Sequence, residues 1–549
     1  MFWKASFASR ILLVCVALPL IVSALASDSQ APFRSISPSW LSGTDNWDLA
    51  LEPALWPNTR LRNGHNIVPG VLPVGTLLYH GTSSHQVPEG PNWTAVDPEH
   101  SFIFCNDLIR NGTGCWQLTF AVTHPLKVLY FDGSGAAKMW GGSMDSQDLF
   151  AWGSIQPNRT FDEQNRTIDM CAWGKSRDIN GFVRMEMDFE VIVCDFAVKL
   201  EIISFLNLSP VNAGTLPYRR DPPDSAAFRV LEAGKWHDRF PSENRIKLDY
   251  TRIISFYDVS LFPSLQHHRQ SQERWDHRLE MITPSETAAF IKILDNTLPG
   301  LWGASTSGID WPTLLTVVEQ RYNERLEMLE YILFSLAATS DRTLKDVLKQ
   351  AHRHLGEMLA PYTLNSIYPP RRSSRLLELA TPSDAQWAAP IFKECATAHT
   401  RYLANPSISS TFTHSEKLLL RATQDTLREI CRVLVGMWAE GVVTGLIENP
   451  QNNVTGSDDP SSDQLKNLVK RWKHRTHGLM NWLDWSYWAT CQPACSYEEM
   501  CYLPTWPFIK RWPKPEPSPD PDQLPAPSPG EDGYRPSPRC IRRLEPYGF

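Results

Sequence analysis

From Leu72 to about Leu208, apolar and polar positions alternate in short runs broken by Gly, Pro and Asn. A period of two predicts strands, at residues 75–80, 116–122, 127–131, 183–194 and 199–205, with a further β-like piece at 249–257. Beyond Trp275 the apolar spacing lengthens to three and four residues. Thr283-Pro-Ser-Glu286 has the form of a capping box with proline at the first helical position, and Thr413-His-Ser-Glu416 repeats the device before a long apolar stripe. Leu315, Val318, Tyr322, Leu326 and Leu329 mark one helical face, and Leu344, Val347, Leu348, Ala351 and Leu355 another.

The expected fold class is therefore α+β. A mixed, β-rich domain at residues 40–265 precedes a helical domain at 275–448, and a Trp- and Cys-rich helical element follows at 462–512. Ten prolines between Pro513 and Pro538 predict an extended tail at 513–549, tethered by Cys540.

The first 26 residues change the picture. Lys4 and Arg10 precede the apolar run Ile11 to Val22, and Ser23-Ala24-Leu25-Ala26 supplies the small residues a signal peptidase requires. The expectation is a secreted protein with no membrane segment after cleavage. Of 11 cysteines, removal of Cys15 leaves ten, an even number, and N-x-S/T sequons stand at Asn92, Asn111, Asn158, Asn165, Asn207 and Asn453. Cysteines fall as Cys105, Cys115, Cys171 and Cys194, then Cys395 and Cys431, then Cys491, Cys495, Cys501 and Cys540. An oxidising compartment favours disulfides over a zinc knuckle at Cys491, Cys495 and Cys501. Connectivity stays open, except that Cys395 pairs with Cys431 if each segment closes on itself.

A net charge of −7 argues against a nucleic-acid binder. The chain lacks G-x-S-x-G, H-E-x-x-H and P-loop signatures. His352 and His354, two apart on a helical pattern, point to different sides and predict packing rather than a metal site, and no metal is expected. The run from Lys470 to His477 reads as a solvated helix face. Two features carry more chemistry. Leu77-Leu-Tyr-His-Gly-Thr82 is a strand ending in His-Gly-Thr, and strand alternation over 184–194 aligns Glu186, Asp188 and Glu190 on one side, with Glu190 nearest apolar Ile192.

The strand-His-Gly-Thr segment resembles the first motif of ADP-ribosyltransferases. Trp93-Thr94-Ala95 is similar to that family's second motif, with Trp-Thr-Ala for Ser-Thr-Ser, and Phe189-Glu-Val-Ile-Val193 to the strand bearing its catalytic glutamate. The resemblance implies NAD as substrate and a protein acceptor, with His80 holding its ribose, Thr94 supporting the nicotinamide pocket and Glu190 stabilising the developing cation. Stretches at 129–134, 189–196, 248–252, 255–258 and 501–507 also resemble a group of uncharacterised secreted fungal proteins. Two other readings stand beside the transferase. One is a non-enzymatic glycoprotein that binds a cell-wall glycan or host surface through exposed aromatics and its stapled C-terminal element. The other is a glycoside-processing enzyme using Glu186 and Glu190.

Overall fold

The computed structural model describes residues 61–105, 115–138, 141–185, 188–209, 231–232, 245–269, 272–298, 307–334, 343–365, 367, 386–446, 460–503 and 537–544. Glu186, the signal segment at 1–26, the sequons at Asn111 and Asn453, and residues 513–536 of the Pro-rich tail lie outside these residues. The fold is α+β, with a curled sheet followed by helices. Among the described helices none is long and apolar enough to cross a membrane.

Ten strands form the main sheet: β1 (Asn66–Leu72), β2 (Leu77–Thr82), β3 (Asn92–Ala95), β4 (Cys115–Val122), β5 (Leu126–Phe131), β6 (Gly181–Met185), β7 (Phe189–Val193), β8 (Leu200–Ser209), β9 (Lys247–Leu248) and β10 (Ile254–Ser255). Their order is β10-β1-β5-β6-β7-β3-β2-β4-β8, with β9 also on β1. Only β5 and β6 run parallel. That pair requires a crossover, which is built from α2 (Asp145–Trp152) and α3 (Glu163–Lys175). A short helix, α1 (Pro98–Cys105), follows β3.

Two strand expectations are corrected. The segment 183–194 is a hairpin, because Arg184 pairs with Glu190 and Met185 with Phe189 across β6 and β7. The segment 249–257 is a 3-10 turn, Tyr250–Arg252, ahead of the two-residue β10; Asp249 accepts from the Thr251 amide and so offers the backbone a turn in place of a ladder.

The residues form two compact units, one covering Asp45–Tyr331, His399–Leu427 and His474–Phe549, the other Ile332–Ala398 and Arg428–Lys473. The sheet belongs to the first. Its core packs Ile67, Leu129, Phe131, Phe182 and Ile192 against Leu149, Phe150, Met170 and Cys171 of α2 and α3. Phe262 and Leu265, the latter on α4 (Pro263–Arg269), with Phe290 and Leu294 of α5 (Pro284–Thr297), extend this core. Thr283 caps α5 as the sequence predicts, accepting from the Glu286 amide while Glu286 accepts from the Thr283 amide. α6 (Trp311–Phe334) carries the stripe of Leu315, Val318, Tyr322, Leu326 and Leu329, all fully buried.

In the second unit, α7 (Leu344–Leu359) buries Val347, Leu348, Ala351 and Leu355, and α8 (Ala389–Thr397) is joined by Cys395–Cys431 to the part of α10 (His414–Val443) that begins at Arg428; the four-residue helix α9, Pro406–Ser409, belongs to the first unit. His352 is a packing residue: its ring is stacked 6.3 Å from both Trp438 and Trp472 and its Nε2 donates to the Trp438 carbonyl at 2.9 Å. Trp472 lies on α11 (Ser462–Leu483), where Glu440 accepts from its Nε1 at 2.9 Å and from Arg471. Part of the basic run is thereby tied down.

Candidate functional site

Strand register decides which of the expected site residues share a surface. Ala95 pairs with Glu190, and Glu190 pairs with Arg184 on its other side, so these three project from one face. Tyr79 pairs with Ala95 and joins them. Thr94 pairs with Val191 and projects from the opposite face, and His80, one residue from Tyr79, lies on the face of Thr94. The structure therefore brings His80 and Thr94 together and sets Glu190 apart.

Each of the first two already uses a donor within the fold. His80 is buried, and its Nδ1 donates to the Trp93 carbonyl at 2.8 Å; burial lowers its pKa, so the ring is neutral. Thr94, fully buried, donates from Oγ1 to the Val191 carbonyl at 2.9 Å. Neither presents a free donor to a cofactor ribose or amide.

On the other face lies a row of charge of which strand alternation predicts only Asp188 and Glu190. Arg184 donates from Nε and Nη2 to Oε2 of Glu190 at 3.0 and 2.9 Å. Its Nη1 reaches Oε1 of Gln147 on α2 at 3.3 Å and ion-pairs with Glu163, the first residue of α3. Burial works against the Arg184 charge, yet Glu163 and Glu190 raise its pKa above the ordinary value. His100, on α1, places Nε2 3.7 Å from Glu190 and Nδ1 3.8 Å from Asp188. Asp188 lies close enough to Asp97 for its charge to act on it, and Arg245 forks onto Asp97 with contacts of 3.0 and 3.1 Å. Burial, then the Asp188 charge, push Asp97 up to about 6 against the pull of Arg245.

At the Arg245 end the row meets an open depression of about 410 Å³ lined by Val74, Gly75, Thr76, Leu77, Tyr79, Val96 and Arg245. Burial, then Asp97, raise the Tyr79 pKa. An acid that titrates near 6 beside a depression can exchange protons at ordinary pH. Glu190 has a different position. Two donors of Arg184 hold its Oε2, and His100 Nε2 lies 3.7 Å from its Oε1. The signal for this network is Arg184 itself: an arginine in the otherwise apolar strand Gly-Phe-Val-Arg-Met needs a buried anion.

A family-model match falls on the sheet. Residues 62–117 and 109–219 match the family model described as the YPL277C N-terminal domain, which supports a place among uncharacterised fungal proteins. Two relatives from Saccharomyces cerevisiae extend the likeness. The uncharacterized protein YOR389W is 22% identical over 535 residues, covering 81% of this chain and 78% of the relative. The uncharacterized protein YPL277C is 25% identical over 362 residues, 50% of this chain and 71% of its own length. No solved structure matches.

Proposed function

We propose that this chain is a secreted, N-glycosylated, disulfide-bonded protein in which an ADP-ribosyltransferase-like set of strands serves as a scaffold without NAD chemistry, a pseudoenzyme that acts by binding a cell-wall glycan. The observation that carries the non-catalytic reading is the hold of buried Arg184, through Nε and Nη2, on Oε2 of Glu190, on the sheet face away from His80 and Thr94. Disulfides Cys171–Cys194, Cys395–Cys431, Cys491–Cys501 and Cys495–Cys540 support an oxidising compartment.

The C-terminal element supports the binding reading. β11 (Glu499–Tyr502) and β12 (Arg539–Arg542) form a small sheet stapled by Cys491–Cys501 and Cys495–Cys540. It is held on α6 by Trp488 Nε1 to the Asn323 carbonyl at 3.1 Å, Tyr487 to Glu324 at 3.0 Å and Gln492 to Glu327 at 2.6 Å. Between the staples Tyr497 is 98% exposed. An exposed aromatic ring on a disulfide-stapled element offers a flat face to a sugar. Co-sedimentation of the purified glycoprotein with insoluble β-glucan, chitin and mannan tests this. Retention on one polymer, reduced several-fold by Tyr497→Ala, is expected; no retention on any of the three would overturn the binding role.

A further inference from the structure

We infer that Asn207 carries an N-glycan whose first sugar packs on the Trp116 cluster and shields the terminal strand of the main sheet from pairing with a second copy of the chain. The inference rests on the secretory reading above. β8 ends the strand order, and among the described residues no strand pairs with its outer side. Its sequence, Leu-Glu-Ile-Ile-Ser-Phe-Leu-Asn-Leu-Ser, has one charge, no proline and no lysine. Such a strand is a template for edge-to-edge association. Ile202, Ile203, Leu206 and Leu208 are 48, 56, 53 and 41% exposed, so apolar side chains accompany the open edge.

The sequon Asn207-Leu-Ser209 lies within this strand, and Asn207 is exposed. Its register partner on β4 is Trp116, so the two side chains project from the same face. Trp116 belongs to a ring cluster: His85 stacks on it at 3.9 Å, Phe205 stands edge-on at 5.3 Å, and His85 and Phe205 are 4.5 Å apart. Phe205, two residues before Asn207, points to the same side. The C–H face of an N-acetylglucosamine attached at Asn207 meets an aromatic platform there, an apolar surface on which such a face packs. Asn158 and Asn165 are also exposed, on a 3-10 turn and on α3.

Mapping by enzymatic deglycosylation and peptide mass spectrometry on protein from a eukaryotic secretory host tests both layers. Expected are occupied Asn207, several-fold slower release of its glycan from the folded protein than of the Asn158 glycan, loss of that difference in Trp116→Ala, and concentration-dependent self-association of Ser209→Ala by size-exclusion chromatography. Glycans at Asn158 or Asn165 with Asn207 unmodified would overturn the inference and leave the secretory reading intact. No glycan at any sequon would overturn both. An occupied Asn207 with Ser209→Ala as monomeric as the parent would overturn the shielding role, and Asn207→Gln repeats that arm with a different side chain.

Discussion

Replacing Arg184 with methionine tests the charge row at its centre. Arg184 and Glu190 are each 2% or less exposed, and the guanidinium makes two contacts of about 3 Å to Glu190, one to Gln147 and an ion pair to Glu163. Methionine keeps the volume approximately and leaves Glu190 buried without its guanidinium partner, with His100 Nε2 3.7 Å away. Breaking a buried pair from one side costs about 3–5 kcal/mol, two to four decades in the folding equilibrium at about 1.4 kcal/mol per decade. Glu163, whose side chain is 25% exposed, can turn to water and adds little. Adding Glu190→Gln removes the orphaned charge, so the double variant is expected to recover about half of the loss. Guanidinium unfolding followed by tryptophan fluorescence on disulfide-intact protein, compared at constant slope, reads both values. A loss below about 1 kcal/mol for Arg184→Met, or no recovery in the double variant, would refute the view that Glu190 is a structural partner.

Two further outcomes follow from buried groups and crosslinks. His277 receives burial, Arg269 and Arg274 as unfavourable surroundings for its charge and falls from 6.5 to about 3, while its Nδ1 meets the Tyr257 hydroxyl at 3.0 Å. Between those values the unfolded chain binds the extra proton, so this stability is complete above pH 6.5 and drains as the pH falls toward 3, by about 1.4 kcal/mol per pH unit. Asp132, pushed by burial to about 7, tilts the opposite way, its contribution fading as the pH rises from 3.8 toward 7. The difference between wild type and His277→Gln at each pH isolates the histidine, and a difference independent of pH would contradict its assignment. Replacing Cys395 and Cys431 by serine opens a loop with a sequence separation of 36, expected to cost about 3–4 kcal/mol by chain entropy. Thermal melts of the variant and parent under identical conditions check it, and an unchanged midpoint would refute the constraint.

What could be read from the sequence was local. Both capping boxes form, since Thr413 accepts from the Glu416 amide and the Thr413 amide donates back to Glu416, and every participant lies within three residues. The pairing of Cys395 with Cys431 was accessible for a similar reason, being the only cysteines between the two stapled ends. The hairpin between β6 and β7 was not, because Met185 to Asp188 contains no glycine, proline or asparagine to mark a reversal. Missing that turn also hid the partnership of Arg184 with Glu190. Which face of the sheet a residue occupies depends on register with distant strands, so His80, Thr94 and Glu190 could each be placed on a strand and not on a common side. Gln147 and Glu163 reach Arg184 only through the packing of α2 and α3, which no local pattern encodes.

The most direct test of the central claim is NAD turnover by the purified, glycosylated protein, measured beside Glu190→Gln. The account predicts no NAD binding by calorimetry and no nicotinamide release from either protein. Nicotinamide release by the parent that is abolished in Glu190→Gln would contradict it, because Glu190 would then be acting on substrate rather than holding Arg184.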